Sequence, residues 1–287
     1  MIPAFVRPSL GRETTLPRVV AELRTRFSAP PAEHGPVPAD ALTIASYNVH
    51  KCVGMDKRFD PARIADVIAE LDADILALQE ADRRFGRRVG LLDMVAIERR
   101  TGLRLVPLSI IPQGHGWHGN ALLVRGGHAV RVRRLALPGG EPRGAAVVDM
   151  EFPAGPLRVV AAHFGLLRRH RSRQVDAILD SIAEDAHIPT VMLGDLNEWR
   201  PGRRSSLKGL EGSFGHARPG PATFPSRMPV FSLDRILGRP QALVRALEAH
   251  DSPLARIASD HLPLKAKLDL AAALEALKQS SALAAAA

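Results

Sequence analysis

Thr190-Val191-Met192-Leu193-Gly194-Asp195-Leu196-Asn197-Glu198-Trp199 is the stretch on which the reading of this chain turns. Thr190 to Leu193 has the composition of a short buried strand, and it runs through a glycine into a carboxylate and a carboxamide. A buried strand end avoids charge unless the charge has a partner or a use. Further along, Ser259-Asp260-His261 stands directly before the apolar segment Leu262 to Leu268 and sets an imidazole beside a carboxylate. Together the two motifs supply the groups that cleave a phosphate ester with the help of a hard divalent metal.

The same arrangement recurs along the chain. Tyr47-Asn48, Leu78-Gln79-Glu80, Ala162-His163 and Leu233-Asp234-Arg235 each put a polar group at the end of, or inside, an apolar segment. One such residue would read as a helix cap or a turn. With the first two motifs there are six cases in one chain, which makes chance a poor account.

Around them the pattern alternates. Leu42 to Val49, Ile75 to Leu78, Ala121 to Val124, Ala145 to Phe152, Leu157 to Ala162, Thr190 to Leu193, Leu233 to Leu237 and Leu262 to Leu268 read as strands. Pro61 to Leu71, Leu91 to Thr101 and Arg171 to Ala186 read as helices, with Pro61 suited to a first turn. Strand–helix–strand units mixed with hairpin-like neighbours indicate an α/β fold with mixed sheets. Residues 1–40 form an N-terminal extension, with an amphipathic helix expected over Thr14 to Phe27 and a proline-rich linker from Ser28 to Asp40. Residues 41–268 make the main domain, and 269–287 an alanine-rich tail expected to be helical.

Composition narrows the setting. The 287 residues are 46% hydrophobic and 24% charged, as in an ordinary globular chain. One cysteine, Cys52, excludes an internal disulfide and fits a reducing, cytoplasmic location. No run of 18 or more apolar residues exists, so no transmembrane segment is expected, and the first ten residues lack the pattern of a secretory signal. The net charge of +9 is nearly all arginine, which favours a polyanionic partner: nucleic acid, or an anionic membrane. Aromatic residues are only 4%, too few for rows of rings stacked on single-stranded bases.

Taken in order, the strand-end residues resemble the endonuclease/exonuclease/phosphatase superfamily, the DNase I-like fold, from about residue 42 to 268. The resemblance implies a four-layer α/β/β/α sandwich of two packed mixed β-sheets with outer helices. It implies a Mg²⁺ or Mn²⁺ site with Glu80 as the main carboxylate ligand, Asn48 assisting, and Asp260 as a further ligand or as a partner orienting His261. Asp195 would orient or deprotonate the attacking water, Asn197 would donate to a phosphoryl oxygen, and His163 and His261 would flank the phosphorus. Asp234 would hold His163 in its useful tautomer.

The sub-branch is less defined. His163 stands where abasic-site endonucleases of the superfamily carry tyrosine. Glu198-Trp199 and Leu233 depart from the inositol-polyphosphate phosphatase pattern. Tyr-Asn-Val-His-Lys at 47–51, Gly-Asp-Leu-Asn-Glu-Trp at 194–199 and Phe-Pro at 224–225 before Leu-Asp-Arg-Ile are similar to a bacterial metal-dependent hydrolase branch. Its neighbourhood includes enzymes acting on lipids.

Arginines gather beside the proposed metal. Arg83, Arg84, Arg87 and Arg88 follow Glu80, while Arg168, Arg169, Arg171 and Arg173 follow His163. A phosphate-facing role is the reading taken for them, with Arg168 as a substrate contact and Arg143 at the rim. In the glycine-rich loop 113–120, Asn120 is a candidate substrate-binding residue, though a simple turn before the next strand fits as well. The function expected is a nuclease-like phosphodiesterase. The alternatives are a hydrolase of phospholipid or small head groups at an anionic membrane, and an inactive nucleic-acid-binding scaffold. The sequence leaves oligomeric state open.

Overall fold

A computed structural model describes residues 16–33, 35–83, 86–185, 187–215 and 219–285. Thr14 and Thr15 of the expected N-terminal helix, and Arg84 of the first arginine cluster, lie outside the described residues.

The elements follow in chain order. The helix α1 (Leu16–Phe27) leads into β1 (Ala32–Glu33) and β2 (Leu42–Asn48), then α2 (Pro61–Leu71), β3 (Ile75–Gln79), α3 (Met94–Thr101), β4 (Arg104–Leu105) and β5 (Ala121–Val124). Four strands come next: β6 (His128–Leu137), β7 (Arg143–Phe152), β8 (Gly155–His163) and, after α4 (Arg168–Ile182), β9 (Thr190–Asp195). The chain closes with α5 (Glu211–Phe214), β10 (Asp234–Arg239), β11 (Val244–Ala249), α6 (Ala255–Ala258), β12 (Leu264–Leu268) and α7 (Leu270–Ala285).

The strands form two mixed sheets, one of seven in the order β1-β11-β12-β2-β3-β5-β4 and one of five in the order β10-β9-β8-β7-β6. Strand side chains alternate between faces, so each sheet packs on both sides. Ile44, Ile75, Ala77, Val159, Ala161, Val191, Leu193 and Ile236 point between the sheets and form the central core. Their neighbours point outward: Tyr47, Leu76 and Leu78 meet Ile64, Ile68 and Leu71 of α2 and Ile97 of α3. Val160, Ala162 and Met192 meet Val175, Ile178 and Ile182 of α4. The result is the expected α/β/β/α sandwich.

Two strands escape the apolar pattern. The β6 strand carries Arg131, Arg133 and Arg134 and stands at a sheet edge, where arginine is tolerated and discourages pairing with another chain. The sequence Val-Arg-Ala-Leu-Glu-Ala of β11 consists largely of good helix formers and becomes a strand through pairing on both sides with β1 and β12. The tail helix α7 docks by its first turns, with Leu270 and Ala273 buried in the central core.

Candidate functional site

Topology brings the strand-end residues to one place. Strands β2 and β3 run parallel and pair Asn48 with Gln79 at their ends, and β8 and β9 run parallel and pair His163 with Asp195. The antiparallel β10 begins where β9 ends, so Asp234 lies opposite Asp195. Strand β12 pairs Leu264 with Ser46, which carries the preceding Ser259-Asp260-His261 to the end of β2. Alternation completes the arrangement. Asn48 shares a face with Ile44, His163 with Ala161, Asp195 with Leu193 and Asp234 with Ile236, all of which point between the sheets. The site is the polar end of the central core.

Gly194 is required by this packing. Its φ is +144°, and a Cβ there would lie 1.8 Å from the carbonyl oxygen of Ala162 on β8. Any side chain would push apart the two strands that carry His163 and Asp195.

Asp195 is the hub. Its carboxylate is buried, accepts from Asn48 Nδ2 at 3.0 Å across the gap between the sheets, and accepts from the backbone N–H of Asn197 at 2.9 Å. His163 Nε2 lies 3.5 Å and His261 Nε2 3.8 Å from the same oxygen that Asn48 reaches. Burial raises Asp195 to about 6; the attraction of His261 and the bonds from Asn197 and Asn48 oppose the rise, and Asp234 reinforces it.

Asp234 is bonded to His261, with Nδ1 to Oδ2 at 2.9 Å, and Thr223 Oγ1 donates to the same oxygen at 2.5 Å. This corrects the expectation that Asp234 orients His163. The imidazole it holds is His261's, while His163 faces Asp195 and Arg143, whose Nη1 lies 2.9 and 2.7 Å from the two ring nitrogens. Burial alone would lower the His261 pKa, but Asp234 and Asp195 outweigh it and lift the group to about 10.

Glu80 follows β3 with φ +56° and lines a pocket with Lys51, Asp82, Arg88, His118, Gly119, Pro142, Arg143 and His163. Left-handed backbone is uncommon outside glycine, and here it recurs at the site in His50, Lys51, Cys52, Glu80, His118 and Asn197. Burial raises the Glu80 carboxyl, and the ion pair with Lys51 Nζ outweighs it, leaving Glu80 below its ordinary range. Asp260 is partly exposed and lies 3.8 Å from His50 Nδ1. Ser259 Oγ ties this loop to β2 by donating to the carbonyl of Asn48 at 2.7 Å.

The donor set suits a hard cation. Glu80, Asp260 and the Asn48 carboxamide offer oxygen at adjoining strand ends, two carboxylates and one neutral group, which is the sparse set with which Mg²⁺ retains water. Among the described residues no three His, Cys, Asp or Glu side chains are grouped to hold a metal ion by themselves, so a cation at Glu80 would depend on the Asn48 carboxamide and on water to complete its shell.

The substrate-facing candidates divide. Arg143 is nearly buried, held by Glu141 at 2.9 Å, and lines the pocket. Arg168 is exposed on the first turn of α4, outside the pocket lining. Asn120 is fully buried, with Nδ2 donating to the carbonyls of Trp117 and Gly144, so it braces the glycine-rich loop from behind. His118 of that loop does face the pocket, while His115 is bonded to the backbone of Leu92.

Of the arginine clusters, Arg88 lines the pocket, 3.4 Å from Asp82. Arg171 does not face phosphate. It is 1% exposed and donates to Glu198 at 3.2 Å, to Ser206 Oγ at 3.0 Å and to the carbonyls of Gly165 and Leu166. Glu198, itself fully buried, also accepts from the N–H and hydroxyl of Ser206, and this network fixes the loop that follows Asn197. Sequence reasoning missed Lys51 and Asp82 as pocket residues. For Lys51 the signal was its place three residues after Asn48 in Tyr-Asn-Val-His-Lys.

A sequence profile described as the Endonuclease/Exonuclease/phosphatase family matches residues 45–261, most of the chain. The two-sheet sandwich with polar strand ends is the architecture such a match requires, and the chain belongs to this family. No curated protein matches the sequence. Among solved structures the chain is similar to the human Nocturnin catalytic domain with bound sulfate anion: 20% identity, TM-score 0.59, covering 85% of this chain and 97% of that one. It is similar to mannosyl-6-phosphatase Bt3783 of Bacteroides thetaiotaomicron VPI-5482, at 16% identity and TM-score 0.60, covering 79% and 99%. D. rerio TDP2 complexed with single strand DNA product gives 16% identity and TM-score 0.57, covering 80% and 99%. At these identities the likeness establishes the fold.

Proposed function

We propose that the chain hydrolyses a phosphodiester with Mg²⁺ or Mn²⁺, by in-line attack of an activated water, and that nucleic acid is its favoured substrate. The observation that carries this reading is Asp195: a buried carboxylate with raised proton affinity, within 3.5 and 3.8 Å of two imidazoles and bonded to the carboxamide of Asn48. A carboxylate lifted toward neutral pH is suited to accept a proton from water.

Glu80, Asn48 and Asp260 would hold the metal, which would neutralise phosphoryl charge and polarise the scissile bond. Asp195 orients the attacking water and takes its proton. His261, kept cationic by Asp234, donates to a phosphoryl oxygen, and His163 with Arg143 covers the opposite side. Asn197 is fixed by its bond to the Phe164 carbonyl at 3.0 Å and turns its remaining N–H toward the substrate.

The net charge of +9, and the DNA product in the TDP2 relative, support a polynucleotide. A lipid head group at an anionic surface draws support from α1, whose Arg18, Arg24 and Arg26 are exposed. The test is a panel of plasmid DNA, single-stranded DNA, RNA, phospholipid vesicles, sugar and inositol phosphates, and bis-p-nitrophenyl phosphate, each with Mg²⁺, Mn²⁺ or EDTA, run beside Asp195→Ala. Cleavage of a diester that needs metal and vanishes in the variant is the expected result. No metal-dependent turnover of any arm, or full turnover by the variant, refutes the reading.

A further inference from the structure

Lys51 reaches the pocket from a backbone that lysine rarely adopts. His50, Lys51 and Cys52 have φ of 45°, 55° and 60°. Left-handed backbone is unfavourable for residues with a side chain, and such a run persists only where its surroundings over-determine it. They do so here. Asn48 Oδ1 accepts the His50 N–H at 3.0 Å, His50 Nδ1 lies 3.0 Å from the Val53 carbonyl, and Cys52 is wholly buried. The result of this tight turn is that Nζ of Lys51 is delivered onto Oε2 of Glu80 inside the pocket.

The pocket's two arginines have acid partners of their own. Arg88 pairs with Asp82 at 3.4 Å and Arg143 with Glu141 at 2.9 Å, and neither acid is a proposed metal ligand. Lys51 is paired with the carboxylate that would carry the metal. An ammonium and a divalent cation on one carboxylate oppose each other, because like charges at close range repel strongly in a half-buried site. Lysine, a compact charge on a flexible stem, is also the cation best able to move a short way and meet another anion.

We infer that Lys51 is a substrate-phosphate ligand held in reserve by Glu80: metal binding at Glu80 displaces the ammonium toward the phosphoryl oxygens that Arg143 and His163 face. The inference rests on Glu80 being the metal ligand, as proposed above. It makes metal and phosphate binding mutually reinforcing, since each favours the displaced lysine, and the coupling must be reciprocal. It also gives Lys51 opposite effects on the two ligands, competing with the metal and assisting the phosphate.

The test is calorimetric titration of the full chain with Mn²⁺ alone, then with inorganic phosphate in the presence and absence of Mn²⁺. Wild type is compared with Lys51→Met, Lys51→Gln, Lys51→Arg and Glu80→Gln, each checked for folding by thermal melting. Lys51→Met and Lys51→Gln should bind Mn²⁺ at least about fivefold more tightly than wild type, and should bind phosphate in the presence of Mn²⁺ about fivefold or more weakly. Lys51→Arg should stay near wild type on both. A lysine that only braced the turn would not tighten metal binding when removed. If wild type binds Mn²⁺ through Glu80 and neither neutral variant tightens it, the Lys51 inference is overturned and the metal reading stands. If wild type binds no Mn²⁺, or binds it equally well as Glu80→Gln, the metal reading fails and the inference fails with it.

Discussion

His261 Nδ1 lies 2.9 Å from Asp234 Oδ2, while Nε2 of the same ring points to Asp195 at 3.8 Å, so one imidazole joins two buried carboxylates. The raised pKa of His261 is therefore a statement about stability as well as chemistry. A histidine whose folded pKa stands near 10, against about 6.5 unfolded, contributes stability that is fully present below about pH 6.5 and lost as pH rises through about 10. In urea unfolding with EDTA present, wild-type stability should fall across that window. Asp234→Asn should be less stable at pH 6.5 and show a flatter slope. Equal slopes would mean that Asp234 does not hold the proton.

Asp195 should set the acid limb of activity. Its carboxyl is lifted by burial to about 6, so the rate should decline as pH falls through that region, above the range of an ordinary aspartate. Asp195→Asn should lower kcat by about 10²–10⁴-fold with little change in melting temperature. A pH–rate profile and a melting curve check the two halves separately, and an acid limb below pH 4 would remove Asp195 as the titrating group.

The Arg171–Glu198 pair should matter to folding more than to phosphate binding. Both side chains are buried, at 1% and 0% exposure, and removing the arginine leaves the buried carboxylate with Ser206 and, at 3.8 Å, Arg200 as its remaining side-chain partners. Arg171→Met should cost about 3–5 kcal/mol, and Arg171→Met with Glu198→Gln less than that, as read by denaturant titration. A double variant no more stable than Arg171→Met would contradict a charge-based origin.

Cys52 should be silent in the native protein. Burial and the nearby Asp60 carboxylate push its thiol up to about 12, and its side chain has no exposure. A disulfide reagent such as DTNB should report no reactive thiol in the folded chain at pH 8 and one thiol in guanidinium. Rapid native labelling would mean that the turn at 50–52 opens readily.

The sequence made the layers legible because period-two alternation and strand-end polarity are local signals. Asn48, His163, Asp195 and Asp234 could be named as neighbours since each ends or begins an apolar run. Which carboxylate holds which imidazole was not legible. Asp234 lies nearer in sequence to His261 than to His163, yet the pairing depends on strand order and on which face each residue takes. Arg171 misled for a related reason. An arginine on a helix's first turn looks like a phosphate ligand until the fold brings Glu198 beneath it. Lys51 stands close to Asn48 in sequence, but its aim was hidden by its backbone, because nothing in Val-His-Lys-Cys announces a left-handed turn that re-aims the side chain.

Phe27, at the end of α1, packs its ring 5.6 Å from Trp199 and 5.3 Å from Phe231, and Trp199 stands two residues beyond Asn197. The stretch shared with the family begins only at residue 45. A fragment trimmed to that stretch would keep every strand-end residue of the site and still bare an aromatic face beside the loop that follows Asn197. The border drawn by ancestry and the border drawn by packing therefore fall at different points in this chain, and it is the second that a working fragment must respect.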